Sequence, residues 1–256
     1  PPPARGQKVN ISSLLMKDAF KMLAHPAFLV FIVCSTLICI PLAYYYAFTS
    51  NYLDQIGFKA SGSTMSLGQI SEIFFMLLVP FFFRRLGVKW MIFVGMLAWV
   101  IRYALFAFGA PDQIVWMILL GVILHGICYD FFFVTGFMYT DARAKPEARG
   151  QAQAMLVFFT QGVGMYFGYK VAFSKFGETM TKYEELKAVL PKEDFNFWQS
   201  FGKMFAAEKF TVPGTLLSET MAQWKQFWIF PCLMAAAIMV IFALAFWDKI
   251  SPTDKK

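Results

Sequence analysis

Apolar residues along this chain gather into six blocks, each near the length of a bilayer crossing, with charged clusters between them. The blocks run Ala27–Ser50, Ser66–Phe83, Trp90–Phe108, Gln113–Tyr139, Ala154–Phe173 and Phe227–Phe246. A helix needs about 20 predominantly apolar residues to span the hydrocarbon of a membrane. A soluble helix of that length would carry a charged face, and these blocks lack one. The pattern predicts an all-α membrane protein with six transmembrane helices. The first and fourth blocks are long enough to tilt or to extend past the lipid.

The segments between the blocks divide the chain into four parts. Residues 1–26 form a polar lead: Pro1–Asn10 reads as a linker, and Ile11–Ala24 has apolar residues at near-helical spacing around Lys17, Asp18 and Lys21. That spacing fits a short helix lying on the membrane surface or an ordinary helix in the cytosol. Residues 27–173 hold the first five transmembrane helices. Residues 174–226 interrupt the pattern for far longer than an ordinary loop. Within them Thr181–Ala188 is charged and helix-prone, and Phe195, Phe197, Trp198, Phe201, Met204 and Phe205 recur at mixed helical spacing. Two or three short helices are expected there, broken at Pro191 and at Pro213-Gly214. Residues 227–256 hold the last transmembrane helix and a tail.

Composition agrees with the pattern. The chain is 58% hydrophobic and 15% charged, against about half and about a quarter in soluble domains. The net charge of +7 raises the question of nucleic acid, and the placement of the charges answers it. Arg5, Lys8, Lys17 and Lys21 precede the first block, Arg84, Arg85 and Lys89 separate the second and third, Arg143, Lys145 and Arg149 separate the fourth and fifth, and Lys249, Lys255 and Lys256 follow the sixth. The opposite short loops, Asn51–Met65 and Gly109–Asp112, hold Lys59. This is the positive-inside asymmetry. It predicts two cytoplasmic termini, an external 174–226 segment, a lipid partner and no nucleic acid. Cys34, Cys39, Cys128 and Cys232 lie within the blocks at no metal or redox spacing. The chain opens Pro1-Pro2-Pro3 and reads as part of something longer.

Against this apolar background the polar residues stand out. Gln69 and Glu72 are three apart and share a helix face. Glu72 lies roughly 18 Å from the end of its block, and Asp130 roughly 15 Å from the end of a block running the same way, at 1.5 Å per residue. Two carboxyl groups at one depth, in a cavity that opens by turns to either side, could exchange protons with both. The alternative is a fixed ion pair of Asp130 with Arg102, whose depth is compatible, which leaves Glu72 the better proton carrier. His125 lies one turn from Tyr129, beside Asp130. Gln69 and Gln161 each donate and accept, which suits a polar organic ligand or a bond between helices. Tyr44-Tyr45-Tyr46 fits an interfacial aromatic belt and also a cavity wall. Gly121, Gly126, Gly162, Gly164 and Gly168 allow close helix approach. The sequence holds no Gly-x-Ser-x-Gly, Walker or His-Glu-x-x-His motif, and with His25 and His125 as its histidines it offers no His-rich metal site. No enzyme, metal or cofactor is expected.

The segments Gly68-Gln-Ile-Ser-Glu-Ile-Phe-Phe-Met76, Phe83-Arg-Arg-Leu-Gly-Val-Lys89 and Leu124-His-Gly-Ile-Cys-Tyr-Asp-Phe-Phe-Phe-Val-Thr135 resemble the nucleoside:proton symporter family of the major facilitator superfamily. The resemblance extends to Ile101-Arg-Tyr103 and Gln161-Gly-x-Gly164. It implies twelve helices in two halves, of which this chain supplies helices seven to twelve, with the amino-terminal half missing. It implies alternating access, a nucleoside substrate and a proton as co-substrate, in a bacterial inner membrane. By the same resemblance Gln69, Glu72, Tyr129, Asp130 and Phe133 bind substrate, and Glu72 and Asp130 couple protons. Arg102, His125 and Gln161 support them. The long 174–226 segment is larger than the family leads one to expect. A facilitator for a sugar or another polar metabolite, and a six-helix membrane module that transports nothing, are the competing readings.

Overall fold

The computed structural model describes residues 17–191, 193–212 and 214–248. Most of the surface helix expected over Ile11–Ala24 lies outside them, as do the linker and the end of the tail. Helix α1 spans Lys17–Met22 and α2 spans Pro26–Ile56, opened by a proline in its first turn. Helix α2 closes at Gly57, whose φ of 111° is left-handed and glycine-favouring. A β-carbon there would also lie 2.0 Å from the Glu208 carbonyl oxygen.

Helix α3 runs Ser61–Gly109, 49 residues. At 1.5 Å per residue that is roughly 73 Å, more than twice the hydrocarbon thickness. It is two helices joined at a kink. Gly87, with φ 70° and ψ 178°, leaves the helical region within the Arg84–Lys89 basic cluster. The second and third expected spans lie on either side of it.

A nearly continuous helical run follows from α4 (Val115–Ile123) and α5 (His125–Tyr129), through a π-helical turn at Asp130–Val134, into α6 (Thr135–Arg143). A 3₁₀ turn at Pro146–Ala148 leads to α7 (Arg149–Val157), a second π-helical stretch at Phe158–Gly164, and α8 (Met165–Thr179). Short helices α9 (Tyr183–Val189) and α10 (Phe197–Gly202) precede α11 (Leu216–Ala245). Among the described residues, α2, α3, the run Val115–Arg143 and α11 are long and apolar enough to cross a membrane. The stretch Arg149–Thr179, which contains the expected fifth span, is helical but more polar, interrupted by Thr160, Gln161 and Lys170.

Helix α11 packs against α2 and α3, α3 against α4 and α5, and α8 against α2. Aromatic rings fill the centre: Tyr52, Phe106, Trp224 and Trp228 form one cluster, and Phe48 stacks on Phe176 at 4.2 Å. The buried polar tips find partners where the helices converge. Tyr52 donates to the Phe106 carbonyl (2.7 Å), Trp224 donates to Gln55, and Gln55 donates to the Tyr183 carbonyl. At the other end Tyr139 and Arg143 both donate to Asp248, which ties α6 to the end of α11.

Candidate functional site

The site begins at a close crossing of α3 and α5. The Gly126 N–H donates to Ser71 Oγ (3.0 Å), whose hydroxyl donates to the Gly68 carbonyl (2.7 Å). A β-carbon on Gly126 would meet the Ser71 carbonyl carbon at 2.5 Å, so only glycine admits this approach. The crossing carries the adjoining residue of each helix with it, Glu72 after Ser71 and His125 before Gly126. His125 Nε2 stands 4.0 Å from Glu72 Oε2, with the imidazole 2% exposed and the carboxylate 23% exposed.

Three tyrosines surround His125. The Tyr45 ring stacks on it at 5.2 Å and 15°, Tyr46 meets it edge-on at 6.2 Å, and Tyr129 lies 5.9 Å away. Tyr129 in turn contacts Phe133 at 5.1 Å. Phe133 is itself buried against Trp99 and Phe132. Tyr45 and Tyr46 were not among the expected site residues. Their signal was the Tyr44-Tyr45-Tyr46 run, whose two readings the sequence left open.

Depth made Arg102 a candidate partner for Asp130, and the structure does not form that pair. Arg102 is fully buried. Its Nε donates to the Gly121 carbonyl (3.1 Å), and its guanidinium sits over the Tyr45 ring at 4.1 Å. Side-chain direction decides this: the ring offers an electron-rich face to the cation, and the carbonyl lies within its reach. Both Asp130 oxygens are buried and accept no hydrogen bond among the described residues. Asp130 opens the π-helical turn, where i→i+5 bonding changes the face that successive residues present.

Of the expected residues, then, Glu72, His125 and Tyr129 come together, Asp130 follows Tyr129 directly in the chain, and Arg102 joins them through Tyr45. Gln69 and Gln161 lie on exposed surface, Gln161 within the second π-helical stretch. A cavity of about 480 Å³ opens elsewhere, at the Gly57 end, lined by Asn51, Asp54, Tyr183, Lys187 and Glu208 among others. The arrangement supplies two carboxyl groups able to take up and release a proton, and aromatic faces with hydroxyls that suit a planar polar ligand.

A family model described as "Nucleoside H+ symporter" matches residues 1–251. The putative nucleoside transporter YegT of Escherichia coli is 35% identical over 247 residues, which cover 96% of this chain and 51% of that protein. The nucleoside permease NupG of Escherichia coli is 32% identical over 179 residues, 65% of this chain and 43% of that protein. The chain thus spans about half the length of these relatives. A crystal structure of a NupG point mutant superposes with a TM-score of 0.73 at 22% identity, covering 96% of this chain and 55% of that one. This likeness shows a shared fold. These relatives are transporters and permeases rather than enzymes, and with its long apolar helices the chain is a multi-pass membrane protein. It belongs to the nucleoside H+ symporter family.

Proposed function

We propose that this chain is the carboxy-terminal half of a proton-coupled nucleoside transporter that works by alternating access. In this reading the parts of α3 on either side of Gly87 cross the bilayer separately. Arg149–Thr179 adds a further crossing, which makes six, with both termini cytoplasmic and the membrane a bacterial inner membrane. Residues 27–173 and 227–256 then form the transporting bundle and its tail, residues 1–26 lead into it, and 174–226 cap it outside. The substrate meets Gln69, Glu72, Tyr129 and Asp130, with Phe133 beneath Tyr129. Glu72 and Asp130 carry the proton, and Arg102, His125 and Gln161 support them.

The single observation that carries the reading is the meeting of Glu72 with His125 beside an Asp130 whose oxygens accept no hydrogen bond among the described residues. A carboxyl group in the membrane interior without a permanent counter-ion is a natural proton carrier. The Gln69 amide lies on the exposed surface of the same helix, where a ligand between two halves would reach it.

The test uses the full-length transporter in energised vesicles. Glu72→Gln is expected to abolish uptake of uridine against its gradient while leaving some exchange. Accumulation at the parental level would remove Glu72 from the coupling. A competition panel of nucleosides and sugars distinguishes the substrate class: uridine uptake suppressed by sugars and not by nucleosides would overturn the nucleoside assignment.

A further inference from the structure

Helix α10 and the turn after it carry an apolar face that nothing described in the chain covers. Phe197, Trp198, Phe201 and Phe205 are 72%, 78%, 49% and 58% exposed, and α10 has no buried residue. At 100° per residue Phe197, Trp198 and Phe201 fall within one arc of the helix, and Gln199 and Ser200 fall on the other side. The helix is nonetheless a built element. Asn196 accepts from the Gln199 N–H, and the Gln199 side chain accepts from the Asn196 N–H, a reciprocal cap.

Its position along the bundle is set by hydrogen bonds that follow it directly. Thr64 Oγ donates to the Met204 carbonyl (2.7 Å), the Lys59 N–H donates to the Ala206 carbonyl (3.0 Å), and the Glu208 N–H donates to the Gly57 carbonyl (2.9 Å). Phe58 and Ala207 form an isolated antiparallel bridge. Lys59 also pairs with Glu193 ahead of α10 and with Glu208 behind it. The segment is thereby fastened to the hairpin between α2 and α3, two helices apolar enough to cross a membrane. Thr64 lies three residues into α3, roughly 5 Å below its start. Amphipathic segments at a membrane surface bury their apolar face about 5–10 Å into the boundary of headgroups and acyl chains. Tryptophan and other aromatic rings favour that layer.

We infer that α10 with Phe205 is an interfacial foot, which lays Phe197, Trp198, Phe201 and Phe205 into the lipid leaflet at the Gly57 end of the bundle. The foot holds the long connection flat on the bilayer and braces the α2–α3 hairpin against it. The occupant of the apolar face is lipid because these hydrogen bonds hold the segment about 3 Å, at 1.5 Å per residue, from the apolar block that begins at Ser66, which is the level of the boundary layer. The inference requires that the helices cross a membrane. It does not require the nucleoside assignment or a particular sidedness.

The experiment places a nitroxide on cysteine at Trp198→Cys or Phe201→Cys in the full-length transporter, with every native cysteine replaced, Cys34, Cys39, Cys128 and Cys232 among them, reconstituted in phospholipid vesicles. Collisions with oxygen, which concentrates among acyl chains, are compared with collisions with a water-soluble nickel chelate. Oxygen is expected to dominate at both sites, and the chelate at the solvated control Glu184→Cys. Chelate dominance at both foot sites would overturn the inference in favour of a solvated loop. Shielding from both reagents would overturn it in favour of a protein cover. If the cysteine-free background fails to fold, tryptophan quenching by brominated lipids is read with the native cysteines. Trp198→Phe is then expected to remove part of the lipid-quenched emission, and an unchanged quenched fraction overturns the proposal.

Discussion

Gly126 shows how much of the site depends on a missing β-carbon. With Ser71 backbone at 2.5 Å and the Glu72 nitrogen at 2.7 Å, neither neighbour has a flexible end to withdraw. Gly126→Ala must push α5 from α3, which would break the Ser71 bond and move His125 from Glu72. Overpacking of this kind costs about 1–3 kcal/mol, so a lower melting temperature and impaired uptake are expected. Gly150→Ala serves as the control: no atom lies within 4 Å of its added methyl, and its melting temperature should stay level or rise slightly. Equal melting temperatures for the two variants would mean that the crossing is looser than described. Arg102 depends on direction in the same way. Its depth suits Asp130, but its stem leads it to the Tyr45 face and the Gly121 carbonyl.

Two elements are organised by connections that local pattern does not reveal. At Gly87 the backbone occupies a region essentially open to glycine alone, at a cost of about 1–3 kcal/mol for other residues. No atom lies within 4 Å of an added β-carbon there, so the penalty of Gly87→Ala is conformational. That variant is expected to redirect the second part of α3 and depress transport more than it depresses expression. Parental transport would show that the kink is not needed. At the Gly57 hairpin, ion pairs of Lys59 with Glu208 and Glu193 add to the backbone bonds that hold it. Hydrogen bonds to Glu208 and Glu193 hold the Lys59 ammonium above its ordinary value, and the bond from Lys59 holds Glu208 below its own. The tie is therefore complete above the ordinary carboxylate range and below the ordinary lysine range. It weakens as pH falls through the lowered Glu208 value and as pH rises through the raised Lys59 value. Protection factors of the Lys59 and Glu208 amides should fall on the acid limb, and more so at high salt. A flat acid limb would mean that the backbone bridge alone holds the segment.

For the whole molecule, the exposed apolar surface and the length of the relatives point the same way. Ile73 and Leu77 are exposed one and two turns beyond the exposed Gln69 on the same helix, and Phe158 is exposed three residues before the exposed Gln161, while the relatives are about twice as long as the matched chain. A site between two halves would be open on one side here, as Gln69 is. On the proposed reading, the chain reconstituted by itself is expected to support no proton-driven accumulation of uridine, whereas a transporter with both halves should. Accumulation by the chain alone would mean that it completes its own site, for example by pairing with a second copy.

The membrane class was readable from sequence because block length and apolarity are local properties. An expected depth for Glu72 and for Asp130 followed from the constant rise per residue of a helix. The family was readable because its acid-bearing segments are contiguous in the chain. Direction around each helix was not readable. It accumulates from the glycine crossing, from the π-helical turn at Asp130 and from the kink at Gly87, each decided by what packs from a distant part of the chain. For that reason the sequence put Glu72 and Asp130 at one level, while only the tertiary structure turned Arg102 onto Tyr45, brought His125 to Glu72, and added Tyr46 to the ring of side chains around them.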